Sequence, residues 1–282
     1  MINNRIHSFE VDSNISIEFH DNVAGSKINK LAKVRYSLPY WESNSYITKL
    51  RGHLKSHDRN SRILDAGCGD GRFTMLLLEM GFTKIYALDT NLNSLLELDR
   101  QLSEEGATDR VVLVHASVSD LPFQNEYFDA VLSIGVLYYL NEGYEDALKE
   151  VARVMRQDAL LLETEPDLEG CAVKALVFDG LESFINVTKN HRFLEYFEGK
   201  PLGLRCFSED EMYELHEISK IPVNKKQAIS LFPSLLTIGR KKNTICDIDK
   251  LDAYQDMVKQ VFATLDKSSS IAKHKLWVCK KA

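Results

Sequence analysis

Cysteine is sparse and poorly spaced for any framework. The five residues, Cys68, Cys171, Cys206, Cys246 and Cys279, are odd in number and scattered, and no two form a Cys-x-x-Cys pair. That argues against a disulfide scaffold and a zinc site and fits a reducing compartment. Positive charge is in deficit, with 35 Lys and Arg against 41 Asp and Glu and a net charge of −6. No general attraction to nucleic acid or to an anionic membrane is expected. The Lys-rich stretch 273–281 reads as the edge of a strand rather than a nucleic-acid patch. No apolar run reaches the roughly 18–20 residues of a membrane span. The opening "MINNRIHSFEVDSN" lacks the basic-then-apolar pattern of a signal peptide. A soluble, cytoplasmic chain without a membrane partner is the expectation. Internal repeats, low-complexity tracts and Gly/Ser linkers are also missing. What remains is 282 residues of 44% hydrophobic composition, enough for a substantial core in one large domain.

Residues 61–164 alternate regularly. "RILDAG", "KIYALD", "RVVLVHA", "FDAVLSIGVL" and "ALLLET" read as five strands. Between them, "RFTMLLLEMG", "NLNSLLELDRQLSEEG" and "YEDALKEVARVM" read as helices; the second has Asn at each plausible cap position, and in the third Ala147, Leu148, Val151 and Val154 share a face. Near-continuous apolar strands alternating with helices predict a doubly wound, mostly parallel sheet covered on both faces. Before residue 61, helices are expected at Lys27–Val34 and Tyr46–Leu54, with "SLPYW" broken by Pro39 between them. After Glu165 the alternation lapses, and an aromatic insertion at about 167–206 reads as mostly helical. Ser208 and Glu211 make a capping box for a following helix. "VNKKQAISLF" reads as a strand, "IDKLDAYQDMVKQVFATL" as an amphipathic helix, and "KHKLWVCKK" as an edge strand.

The stretch "ILDAGCGDGRFT", Ile63 to Thr74, falls where the first strand of such a sheet turns into its helix, the place where these folds bind ligands. A dinucleotide loop of the form G-x-G-x-x-G needs glycine at Arg72, and a Walker loop is absent. Asp65 and Asp70 would repel a pyrophosphate by about 1 kcal/mol even when well solvated. The loop therefore favours a ligand with a cationic end. Asp89 stands about 20 residues on, the place of a ribose-binding acid.

These residues resemble the class I S-adenosylmethionine-dependent methyltransferases. "LDAGCGDGRFT" is similar to their first motif and "IYALDTN" to their second, whose acid takes the ribose hydroxyls. "HASVSDLPFQNEYFDAVLSIGVLYYL", "YEDALKEVARVM" and "ALLLETEP" resemble the stretch through the fifth strand, and "AKHKLWVCKK" the antiparallel last strand. The resemblance implies a Rossmann-like α/β fold with a seven-stranded sheet, a helical lid insertion, and S-adenosyl-L-methionine as cofactor. It implies a cofactor set of Asp65, Ala66, Gly67, Gly69, Asp70, Gly71, Asp89, Thr90, Ser117, Val118, Ser133, Ile134 and Gly135, with Arg35 and Tyr36 near the methionyl end. The implied division is 1–60 as helical lead-in and cap and 61–282 as the cofactor-binding domain. Two positions depart from the family. Ser117 stands where an acid usually meets the adenine amino group, with Asp120 reading as a turn cap; "RQDA" replaces a proline-glycine-glycine turn.

Methyl transfer to oxygen or nitrogen needs a base near the methyl group. Tyr139, beside Tyr138 after the fourth strand, Glu165 after the fifth, and His191 in the insertion are the candidates. Core packing, a solvated strand end and an ordinary surface histidine are the respective alternatives. His53 and His57, four apart on an expected helix, have no third ligand in view, so no metal is expected. The insertion, closing as a lid, would enclose a small molecule, and the expected function is methylation of a secondary metabolite. No N/D-P-P-Y tetrapeptide follows the fourth strand, and the acidic chain disfavours nucleic acid. A protein or nucleic-acid acceptor and an inactive cofactor-binding scaffold are the competing readings. A homodimer is left open.

Overall fold

The structure, a computed structural model, describes residues 5–11, 38–197, 200–229 and 272–282. The strands are β1 (Ile6–Ser8), β2 (Arg62–Ala66), β3 (Lys84–Asp89), β4 (Val111–His115), β5 (Phe128–Ile134), β6 (Met155–Pro166), β7 (Arg192–Phe197), β8 (Lys200–Arg205), β9 (Val223–Ile229) and β10 (His274–Lys280). The helices are α1 (Leu38–Leu54), α2 (Arg72–Glu79), α3 (Leu92–Glu104), α4 (Tyr144–Val154), α5 (Leu168–Phe178), α6 (Leu181–Asn190) and α7 (Glu209–Ile218), with a 3-10 segment at Leu137–Gly143.

Eight strands form one sheet in the order β1-β4-β3-β2-β5-β6-β10-β9, and β7 pairs with β8 in a separate hairpin. Among the described strands of the large sheet only β10 runs against its neighbours, antiparallel to both β6 and β9. The doubly wound, mostly parallel architecture stands, with one strand more than the seven expected: Ile6–Ser8 pairs in parallel with β4 at the far edge. The order reverses between β2 and β5, so the crevice at their carboxyl ends is the switch point at which such sheets bind ligands.

Burial on both faces explains the apolar strands. On one face Leu50 and Leu54 of α1, Phe73 and Leu76 of α2, and Leu95 and Leu98 of α3 pack on Ile63, Ile85 and Leu132. On the other, Leu148 and Val151 of α4 and Met212 of α7 pack with Val131, Leu161 and Trp277. Asn91 caps α3 by accepting from the Ser94 N–H, and Ser208 and Glu211 cap α7 reciprocally, as their spacing predicts. Helix α1 starts eight residues earlier than the expected Tyr46, because Pro39 falls in its first turn, where no amide donor is needed. The expected helices at Lys27–Val34 and within "IDKLDAYQDMVKQVFATL" lie outside the described residues.

Three expectations change. The insertion is not all helical: "RFLEYF" forms strand β7 of a hairpin after α5 and α6. "RQDA" is no turn but lies inside the long β6, with Asp158 at φ 64°. The stretch read as an edge strand is interior, and all of β10 except Lys280 is buried. Alternation misleads here because β6 and β9 flank β10 on both sides, and the buried Lys275 meets Asp167 at 2.6 Å.

Candidate functional site

The loop between β2 and α2 is pinned to β3. The Gly67 and Cys68 N–H groups both donate to the Leu88 carbonyl, at 2.8 and 2.9 Å. The Gly69 N–H donates to Asp89 Oδ2 at 2.8 Å and the Asn91 N–H to Oδ1 at 2.8 Å. Two backbone donors thus orient the Asp89 carboxylate. Gly69 is left-handed at φ 55°, and a Cβ there would meet none of the described residues within 4 Å. Gly71 is left-handed at φ 93°, but its Cβ would come within 2.3 Å of Leu98 Cδ1. One glycine leaves space open over the loop, and the other lets the loop close down on α3. Gly135, after β5, also borders open space.

Asp65 is buried under this loop, where Thr74 Oγ1 donates to its Oδ2 at 2.6 Å. Burial lifts its carboxyl from 3.8 to about 6, against the pull of the Thr74 hydrogen bond and of Arg72. A cation arriving nearby relieves that cost, so Asp65 suits an ammonium or sulfonium and not a phosphate. The Asp70 carbonyl accepts from Gln101 Nε2 at 3.1 Å, tying the loop to α3. Ala66 is fully buried at the end of β2. The Thr90 carbonyl lies 3.0 Å from His115 Nε2. Ser117 holds its own turn: its hydroxyl accepts from the Ser119 N–H at 3.1 Å and its carbonyl from the Asp120 N–H at 3.2 Å. Its O–H remains able to donate, the reverse of the polarity an acid offers there. Val118 buries its side chain in the core.

At the end of β5, Ser133 is fully buried with Oγ lacking a hydrogen-bond partner, and Ile134 is buried beside it. The rings of Tyr138 and Tyr139 stack at 4.3 Å. Glu165 is no solvated strand-end acid. It is 1% exposed, and among the described residues neither carboxyl oxygen reaches a partner in hydrogen-bond geometry. Burial first, then Glu163 two residues back on the same strand face, raises its carboxyl well above the usual range, opposed by the Tyr138 N–H and Arg205. Burial likewise raises the Tyr139 phenol.

His191 caps α6 and lies 3.3 Å from Glu211 of α7. His53 and His57 do not share a helix face: His57 lies beyond the end of α1, and His53 contacts Gln227 of β9 at 2.7 Å. Tyr36 and Arg35 lie outside the described residues. Sequence reasoning missed the buried Tyr144–Glu163–His216 group and the Lys174–Glu195–Lys273 group. The one available signal was Glu163, a charge directly after the apolar run Ala159–Leu162.

The open glycine cradle, the oriented Asp89 carboxylate and the buried Asp65 fit a phosphate-free nucleoside with a cationic end. Residues 64–162 match the family described as "Methyltransferase domain". The tRNA U34 carboxymethyltransferase of Vibrio cholerae serotype O1 is 28% identical over 170 residues, 60% of this chain and 49% of that protein. Its counterpart in Pseudomonas aeruginosa is 33% identical over 140 residues, 49% of this chain and 41% of that protein. The chain thus spans about half the length of the curated relatives it matches. Among solved structures, the 1,6-didemethyltoxoflavin-N1-methyltransferase of Burkholderia thailandensis, with 1,6-didemethyltoxoflavin and S-adenosylhomocysteine bound, superposes with a TM-score of 0.56 at 17% identity, covering 96% of this chain and 93% of that one. The [4+2]-cyclase SpnF superposes at 0.53 and 15% identity, covering 84% and 80%. The methyltransferase-domain match covers residues 64–162, the overall fold is shared with these solved structures, and the cyclase shows that this fold alone does not fix the reaction.

Proposed function

We propose that the protein binds S-adenosyl-L-methionine and transfers its methyl group to an oxygen or nitrogen of a small molecule, a secondary metabolite. The observation that carries the reading is the Asp89 carboxylate, held by the Gly69 and Asn91 N–H groups at the edge of an open glycine cradle. In this reading Asp89 accepts from the ribose hydroxyls, and Asp65 offsets the methionyl ammonium from beneath the loop. Ala66, Gly67, Gly69, Asp70 and Gly71 line that end, Thr90, Ser117 and Val118 the nucleoside end, and Ser133, Ile134 and Gly135 the floor. The cofactor supplies an electrophilic methyl group on sulfur. The chain then has to orient the acceptor in line and remove one proton from it, and positioning of this kind is worth on the order of 7–11 kcal/mol. Glu165 is the favoured proton acceptor, because burial raises its basicity toward the working range of a general base. Tyr139 would orient the acceptor. His191, engaged with Glu211, is the weaker candidate.

Calorimetry with S-adenosylmethionine and S-adenosylhomocysteine tests the reading. Saturable binding of both is expected, and no binding at millimolar concentration overturns it.

A tRNA acceptor is the second reading, supported by the names of the curated relatives. Against it stand the net charge of −6 and the half of those relatives that this chain does not match. Methyl incorporation into unmodified tRNA with purified protein would establish that reading in place of the first.

A further inference from the structure

A cavity of about 40 Å³ lies between α5, α6 and β7, lined among others by Lys174, Ser183, Asn186, Arg192 and Phe193. Since a water needs about 10–15 Å³ of such space, it has room for a few waters or one small anionic group. Beside it, three charges from three elements meet. Lys273, just before β10, donates to Glu195 Oε1 of β7, and Lys174 Nζ of α5 lies 3.7 Å from the same oxygen. Lys273 Nζ also sits 5.2 Å from the centroid of the Phe193 ring, a wall of the cavity. Two ammonium groups therefore reach one carboxylate, with Lys273 the most covered of the three and Lys174 and Glu195 about one-third exposed. Arg192 is already matched, to Asn141 at 2.9 Å and to Glu142, and Asp179 lines the cavity from an exposed position.

Lys174 registers this setting. Burial first, and then Lys273, holds its ammonium below the ordinary lysine range in spite of Glu195. Such a cation is stabilised by an anion placed against it. The cluster also adjoins the mouth of the sheet, because Lys273, Glu195 and Glu165 all act on the Tyr139 phenol.

We propose that this cavity is a subsite for an oxyanionic group, a carboxylate or phosphate carried by the methyl acceptor, with Lys174 as its principal cation and Ser183 and Asn186 as neutral donors. That the anion belongs to an acceptor rests on the methyltransferase reading; that the cavity binds an anion does not. Glu195 competes with the ligand for the two lysines, so removing its charge strengthens binding.

The test titrates sodium acetate and inorganic phosphate into the intact protein at constant ionic strength, with sodium chloride as reference, and reads the melting temperature. Saturable stabilisation by at least one of them is expected, and the stronger of the two names the arm. Lys174→Met is expected to abolish the saturable part and Lys174→Arg to keep it. Glu195→Gln is expected to tighten it at least threefold. No saturable effect in the native protein, an unchanged effect in Lys174→Met, or unchanged or weaker binding in Glu195→Gln overturns the proposal. S-adenosylhomocysteine affinity reports folding of each variant, and Glu195→Gln decides the matter if Lys174→Met does not fold. A native protein that binds the anion but no S-adenosylhomocysteine overturns the methyltransferase reading and leaves this one standing.

Discussion

His216 Nε2 lies 3.0 Å from Glu163 Oε2, and neither side chain has exposed surface. The two atoms meet outside hydrogen-bond geometry, so the contact is electrostatic, while Tyr144 donates to the other oxygen of Glu163 at 2.6 Å. The group joins β6, α4 and α7 through the middle of the core on the face that ends at Glu165.

Breaking that group from one side should cost much and breaking it from both sides less. Glu163→Leu leaves His216 and the Tyr144 hydroxyl in an apolar interior, and orphaning that buried donor costs about 1–3 kcal/mol. Adding His216→Leu should recover part of the total loss, since an apolar pair of similar volume is often neutral. Urea unfolding of the two variants measures the difference. Equal loss in both would mean that the contact holds nothing together.

The glycine loop separates stability from binding. Gly71→Ala pushes a Cβ to within 2.3 Å of Leu98 Cδ1 at a left-handed φ of 93°. Crowding of that kind costs about 1–3 kcal/mol. Gly69→Ala meets none of the described residues within 4 Å. Only backbone strain of about 1–2 kcal/mol applies to it, but the methyl group intrudes into the space over the loop. Thermal melts should show the larger loss for Gly71→Ala, and calorimetry the larger loss of S-adenosylhomocysteine affinity per unit of stability for Gly69→Ala.

Asp89→Ala removes the acceptor that the Gly69 and Asn91 N–H groups hold in place. Affinity for S-adenosylhomocysteine should fall at least tenfold, about 1.4 kcal/mol or more. Undiminished binding would put the nucleoside elsewhere.

Asp65 gives the protein a pH signature. Its folded carboxyl titrates at about 6 rather than 3.8, so the native state holds that proton more tightly than the unfolded chain does. Its contribution is a destabilisation that grows as pH rises from about 4 to about 6 and then levels off, near 3 kcal/mol in all. Asp65→Asn should flatten that part of the stability profile. A cationic ligand favours the ionised form, so native affinity for S-adenosylhomocysteine should rise across the same window and that of Asp65→Asn should not. Parallel pH profiles of the two proteins would remove Asp65 from the site.

If Glu165 is the proton acceptor proposed above, Glu165→Gln should retain cofactor affinity and lose methyl transfer by on the order of 10²–10⁴-fold once an acceptor is in hand. In the native protein the rate should climb with pH, since the raised carboxyl has to lose its proton before it can take one. A Glu165→Gln enzyme with native turnover would leave Tyr139 and His191 as candidates.

The sequence by itself determined the layers and the place of the glycine loop. Apolar strands alternating with capped helices require a covered parallel sheet, and local rules suffice for that: Asn91 and Ser208 cap where their spacing says, and the face of α4 follows its period. Gly67, Gly69, Gly71 and Asp89 were legible because a turn and a strand end are local features. The surroundings of Glu165 were not. Whether Glu165 is solvated or sealed in depends on the segments that cover β6, and these come from far along the chain. The place of β10 inside the sheet, the hairpin in the insertion, and the meeting of Lys174, Glu195 and Lys273 were likewise settled by long-range packing. Residues up to 99 positions apart are brought together there, and no periodicity along a sequence records such a distance.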